Sequence, residues 1–317
     1  MYEPIAESLA PELLKLLERV LQEYPDKKLL RDIIVTKVVE ELNEEARRGQ
    51  LPPMPPEWEI KRRFEDYVVS ISTSLFRSLR RERVQDLIKS YGRVIVLIGA
   101  GFSSDAGIPL ARFLNKIDFK EALKDKLKSE EFKKIFKQDM VEREVVKVTK
   151  AHEIVAEMFH HKVIIEIICL NWDDLIEKAY QHMYSRKIRK INREEQQPSD
   201  DDGDGFYHYL WKFHGDVEDL DYEWIYPGMG GRVFRAFHQY VPELQKHALV
   251  FLIIGYSEQE EEIKEEVIRP LESSKYIHTF RIGMDLRLFN QYPKNYIVAP
   301  AEWIVPVLFE EARKLML

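Results

Sequence analysis

Val94-Ile-Val-Leu-Ile-Gly99-Ala100-Gly101-Phe-Ser103-Ser-Asp-Ala-Gly107-Ile108-Pro109 reads as a buried strand running into a glycine turn and a helix start. Gly99 and Gly101 let the backbone approach a ligand closely, and Ser103 can aim its hydroxyl and neighbouring amides at an anion. The stretch is therefore a candidate phosphate cradle for a dinucleotide or another phosphate ester. The alternative is a tight strand-to-helix turn that packs closely and binds nothing. The spacing departs from the fingerprint of hydride-transfer enzymes, whose third glycine is replaced here by Ser104. That fingerprint also wants an acidic residue ending the next strand, whereas Lys116 to Lys150 is charged and carries no strand signal.

Other clusters read as inert. Asp200, Asp202 and Asp204 alternate with Gly205 in the sixth place, like a calcium loop, but the twelfth position is Trp211 and the bidentate glutamate is missing. The cluster reads as a solvated turn, and no metal is expected. His160 and His161 are adjacent, so on a helix they diverge from any shared ion. Cys169 lies in an apolar run with no electropositive neighbour, as expected of a small buried hydrophobe.

Taken together, Gly99-Ala-Gly-Phe-Ser103, Gly107-Ile-Pro109 and Arg112 resemble the signature of the sirtuin (SIR2) superfamily. Three later stretches agree in order. Cys169-Leu-Asn171-Trp-Asp173-Asp174-Leu175 is similar to the family's Gln-Asn-Ile-Asp segment, Phe213-His214-Gly215 to its His-Gly, and Ile254-Gly255-Tyr-Ser257 to its Gly-Thr-Ser loop. The resemblance spans about residues 92 to 316 and leaves the first ninety unexplained. Protein-deacetylating sirtuins hold zinc with four cysteines, and this chain has one cysteine, so no such zinc site is expected. Ala111 stands where the family has phenylalanine, and a later family asparagine is replaced around Ile282-Gly283. In these respects the chain looks more like the zinc-free SIR2-like NAD hydrolases of prokaryotic antiviral defence.

The resemblance implies a Rossmann-like, open parallel α/β sheet that binds NAD as substrate or ligand. Gly99, Ala100, Gly101, Ser103, Gly107, Ile108, Pro109, Arg112, Asn171, Gly255 and Ser257 would line the NAD site. By the same analogy Asp173 would hydrogen-bond the carboxamide, Asn171 would order ribose and water, and His214 would act as base. A histidine suits that role because its ordinary pKa is about 6.5. The implied reaction splits the nicotinamide–ribose bond to give ADP-ribose and nicotinamide. Two other outcomes stay open: a sensor that binds NAD or ADP-ribose without turnover, and a protein deacylase or ADP-ribosyltransferase.

The elements expected to position these residues follow from periodicity. Val94 to Ile98, Val163 to Leu170, Leu249 to Ile254, Tyr276 to Ile282 and Tyr296 to Val298 read as strands. Lys116 to His161 reads as helical, the Asn171-Trp-Asp-Asp174 turn as opening a helix to about Ser185, and Ala301 to Leu315 as a closing helix. Between Arg186 and Gln245 the periodicity breaks, as expected of a small inserted domain within an NAD-binding unit at 91–317. Residues 1–90 read as a helical arm: stripes at Ile5 to Leu21 and Ile33 to Leu42, the breaker Leu51-Pro-Pro-Met-Pro-Pro56, and a helix from about Glu57 to Ser90. That arm could pack on the main unit, pair subunits into a homo-oligomer, or gate the site.

Composition bounds the rest. The 317 residues are 45% hydrophobic, enough for a large core and an accessory domain. Apolar runs are strand-sized and the start has no signal-peptide pattern, so no membrane span and a cytoplasmic location are expected. A net charge of −7 argues against general nucleic-acid binding, and the basic run from Lys61 to Lys89 reads as a solvated helix face.

Overall fold

The computed structural model describes residues 83–90, 92–108, 126–142, 146–199, 207–226, 231–283, 285, 288, 291–292 and 295–316. All of them belong to one compact unit, Arg80–Leu317. The two N-terminal helical stripes, the proline breaker, Pro109, Ala111, Arg112, the Asp200 to Gly205 turn and Pro227 to Gly230 lie outside the described residues.

The unit is built on a single open sheet of seven parallel strands. In chain order these are β1 Val94–Ile98, β2 Ile164–Cys169, β3 Lys190–Ile191, β4 Leu210–Lys212, β5 Val250–Ile254, β6 His278–Gly283 and β7 Tyr296–Val298. Their spatial order is β3-β4-β2-β1-β5-β6-β7. The helices are α1 (83–90), α2 Lys126–Ile135 running into a π-helical turn Phe136–Val141, α3 Lys150–His160, α4 Leu175–Tyr184 and α5 Arg235–His247. Glu261–Ile263, the π-helical Lys264–Ile268 and Arg269–Glu272 run on as α6, and α7 is Ala301–Lys314. None of the described helices is long and apolar enough to cross a membrane.

A strand covered on both faces needs apolar residues at every position, and β1 and β5 are buried throughout. Alternate side chains then serve two separate cores. Val94, Val96 and Ile98, with Val250, Leu252 and Ile254, pack under α1, α3, α4 and α7. Ile95, Leu97, Phe251 and Ile253 pack on the opposite face against Phe237, Tyr240 and Leu244 of α5 and Ile263, Val267 and Leu271 of α6. β2 carries one extra residue against β1, because Val94 pairs with Ile164 but Ile95 with Glu166. The buried Glu166 carboxylate there accepts hydrogen bonds from His208 N (2.9 Å), Tyr209 N (3.1 Å), Trp211 Nε1 (2.8 Å) and the Tyr240 hydroxyl (3.0 Å). These four donors fasten β4 and α5 to β2.

Two expectations need correction. Lys116 to His161 is not one helix: among its described residues a break follows Val141, and α3 restarts at Thr149. Thr149 and His152 cap each other there, each side chain paired with the other residue's backbone N–H. Within 186–245, β3 and β4 join the main sheet and α5 lies in one of its flanking layers. β3 and β4 are two and three residues long and each includes a lysine, Lys190 or Lys212, so neither shows the short apolar run that marks Tyr296 to Val298.

The strand order reverses between β1 and β5. From β1 the chain steps out to β2 and on to β3 at the edge, fills the place between them with β4, then crosses to build β5, β6 and β7 on the other side. The loops after β1 and β5 therefore flank the crevice where open parallel sheets collect ligands.

Candidate active site

Because every strand is parallel, the loops after β1, β2, β4 and β5 emerge on one edge of the sheet, and they hold Ser103, Asn171, His214 and Ser257. After β1 the chain forms two short 3-10 turns, Ala100–Phe102 and Ser104–Ala106, in place of the expected helix start. Gly99 N donates to Ile254 O (2.9 Å) and Gly101 N to Gly255 O (2.8 Å), so the loops after β1 and β5 pair backbone to backbone. A Cβ on Gly99 would lie 2.7 Å from Tyr256 Cα, and one on Gly101 2.9 Å from Gly255 Cα. The close approach these glycines permit is thus between two loops of the protein itself. Gly255 has φ +64°, and a Cβ on it would strike Phe102 N. Gly107 ends the second turn at φ +92°, and the buried Ile108 donates its N–H to Ser103 O (3.3 Å).

Ser103 and Asn171 meet directly: Asn171 Nδ2 donates to Ser103 Oγ at 3.1 Å, and both side chains are buried. On the other side Ser103 Oγ lies 3.3 Å from His152 Nε2. The opposite ring nitrogen of His152 is 2.7 Å from Thr149 Oγ1. Burial pulls the His152 imidazole down to about 4, so at neutral pH it is an uncharged prop for Ser103. Cys169 donates weakly to Asn171 O at 3.7 Å, and burial pushes its thiol up to about 12, which makes it no nucleophile.

The turn after β2 is fastened from below. Asp173 Oδ1 accepts from Leu175 N (3.2 Å) at the start of α4. The fully buried Lys212, last residue of β4, donates Nζ to Trp172 O at 3.4 Å and, more closely, to Asp173 O. Its charge is balanced by Glu177 (3.4 Å) and Asp216 (3.8 Å), and Lys190 reaches Asp216 and Glu218 at 2.5 Å each. Glu177, Asp216 and Glu218 bring carboxylate oxygens within 4.8 Å of one another, a spacing that could suit a cation. The two ammonium groups already stand among those oxygens, which gives the cluster the character of an ion-pair network.

His214 follows two residues after Lys212. Gly215 next to it has φ +118°, and a Cβ there would lie 2.5 Å from Trp224 Cδ1. The His214 carbonyl accepts from Trp172 Nε1 (3.1 Å) and Ile225 N (2.8 Å). Trp172 stacks on Trp224 at 5.0 Å between ring centres, and Phe136 of the π-helical turn packs edge-on to both. The His214 side chain is buried, and that burial, helped by Arg232, pulls the imidazole down to about 3. The ring is therefore neutral at physiological pH, and its buried Nε2 has no hydrogen-bond partner. Glu260 Oε2 lies 3.7 Å from that nitrogen and accepts the Tyr256 hydroxyl at 3.1 Å.

The structure thus brings Gly99, Gly101, Ser103, Asn171, Asp173, His214, Gly255 and Ser257 to one sheet edge. Sequence reasoning missed His152, Lys212, Glu260 and the Trp172–Trp224 wall. Thr149 is a candidate cap, but His152 stands where the capping box has Glu or Gln, and Lys212 is a charge in a buried strand beside His214. Glu260, inside the acidic run Glu258 to Glu262, carries no comparable mark.

No protein-family model matches the chain, and no curated protein matches its sequence. Among solved structures its fold is that of the Sir2 enzymes. One Sir2 structure, described for mechanism and regulation, superposes with TM-score 0.50 at 15% identity, covering 75% of this chain and 99% of its own. A mutant Sir2 homologue in complex with 2'-O-acetyl ADP ribose gives 0.51 at 16% identity, covering 74% and 97%.

Proposed function

We propose that the chain is a SIR2-superfamily enzyme that cleaves the nicotinamide–ribose bond of NAD to release nicotinamide and ADP-ribose. One observation carries the reading: at the strand-order reversal the buried Asn171–Ser103 pair shares an edge with a neutral His214 whose Nε2 makes no hydrogen bond. The fold it shares with a Sir2 homologue bound to an ADP-ribose ester adds support.

The chemistry needs little acid catalysis. In NAD the nicotinamide nitrogen is already cationic, so the glycosidic electron pair leaves with it as the bond breaks, and the ribose becomes oxocarbenium-like. Water then attacks the anomeric carbon, and one proton must be removed. His214 Nε2 is placed to take that proton because no hydrogen-bond donor occupies it, but burial pulls the ring down to about 3, so it holds the proton only with a negative charge beside it. Asn171 is assigned to ribose and water, Asp173 to the carboxamide, and the turn from Gly99 to Ile108, with Gly255 and Ser257, to the pyrophosphate and adenosine end. Pro109 and Arg112 are assigned to the same end by resemblance alone. The balanced reaction is NAD plus water giving ADP-ribose, nicotinamide and a proton.

Hydrolysis is preferred over deacylation because the chain has one cysteine and cannot build a four-thiolate zinc module. By resemblance, the Gly255-Tyr-Ser257 form of the loop, common among the zinc-free SIR2-like NAD hydrolases of antiviral defence, supports a place among them. His214→Ala and Asn171→Ala should fold yet release no nicotinamide, and activity equal to wild type in both would refute the reading.

A further inference from the structure

If His214 is the base, it must carry a positive charge in a dry pocket. The charged and titratable groups facing it come from three segments. Arg232, ahead of α5, donates Nε and Nη2 to Phe213 O at 3.2 and 3.1 Å, with Glu223 3.5 Å away, and it opposes a second cation. Tyr256, in the loop after β5, donates to Glu260. On α6, Glu262 accepts Gly231 N at 2.9 Å and repels negative charge on Glu260. Glu260 itself, the N-cap residue of α6, offers Oε2 3.7 Å from His214 Nε2, and its side chain is only 21% exposed. It is the group able to balance an imidazolium.

We propose that Glu260 is the positioning partner of His214, its carboxylate stabilising the imidazolium formed when Nε2 takes the proton of water or a ribose hydroxyl. This rests on the hydrolase reading above. In the step, the substrate O–H bond breaks as Nε2–H forms, its electron pair stays on oxygen, and the new cation faces Glu260 Oε2. After product release the proton leaves to solvent. Burial pushes the Glu260 carboxyl up to about 7, against the lowering effect of the Tyr256 hydroxyl. Below that pH the partner is protonated and cannot balance charge. Activity should therefore be lost as pH falls through about 7 and be present above it.

The test pairs kinetics with a measurement that does not need turnover. In Glu260→Gln, kcat for NAD should fall about 10-fold or more with KM little changed, and the limb near pH 7 should disappear. Tyr256→Phe, which removes a donor to the carboxylate, should move that limb to higher pH. Carbon-13 NMR of labelled histidine should give the His214 ring an inflection near pH 7 in wild type and none in Glu260→Gln. An unaltered pH profile, or an unaltered His214 titration, in Glu260→Gln overturns the proposal. If wild type leaves NAD intact, the hydrolase reading fails separately and the NMR comparison alone decides whether the two groups are coupled.

Discussion

Gly255 shows how much of the site rests on single backbone atoms. It sits at φ +64°, and any side chain would strike Phe102 N and the Gly101 backbone. A left-handed conformation disfavours other residues, and the clash is with main chain, which cannot swing aside. Gly255→Ala should destabilise the unit by about 1–3 kcal/mol in urea denaturation and separate the loops after β1 and β5. If stability were unchanged, the backbone pairing of those loops would not be structural. At this scale the chain was readable where residue type is dictated by geometry. Gly99, Gly101 and Ser103 stand out by their spacing after a strand, and Asn171, His214 and Gly255 through the resemblance of their stretches to sirtuin motifs, while Gly99 and Gly101 also permit the approach of one loop to another. Glu260 was invisible because its role comes from a contact across 46 residues of chain, from His214, inside a run of similar charges.

Among the elements, β4 links the two halves of the site. It is three residues long, and Lys212 at its end holds the carbonyls of the turn after β2 while His214 stands two residues on. Removing one partner of a buried ionic network leaves the others uncompensated. Lys212→Met should therefore cost about 3–5 kcal/mol, read by urea denaturation, and should loosen the Asn171 to Asp174 turn. Loss below about 1 kcal/mol would mean that the ammonium is not the anchor. The long central strands β1 and β5 were legible because burial on both faces writes continuous apolar runs, and β2 because the residues on either side of Glu166 stay apolar. The short strands β3, at the sheet's edge, and β4 beside it were not, because they hold their place by pairing and, for β4, by the Glu166 hydrogen bonds. The break ahead of α3 was hidden for a related reason: a capping box acts at one residue, while the charged sequence around it keeps a helical pattern.

For the whole molecule, the parallel sheet sets the loops after β1, β2, β4 and β5 on one edge and reverses its strand order between β1 and β5. That arrangement, with neutral His214 and the Asn171–Ser103 pair, is what the hydrolase account stands on. The decisive measurement is chromatography of nucleotide products after purified protein is incubated with NAD, with and without an acyl-lysine peptide, alongside His214→Ala. The account predicts ADP-ribose and nicotinamide in equal amounts without the peptide, and none from His214→Ala. Intact NAD after long incubation, release that depends on the peptide, or equal release by His214→Ala would contradict it.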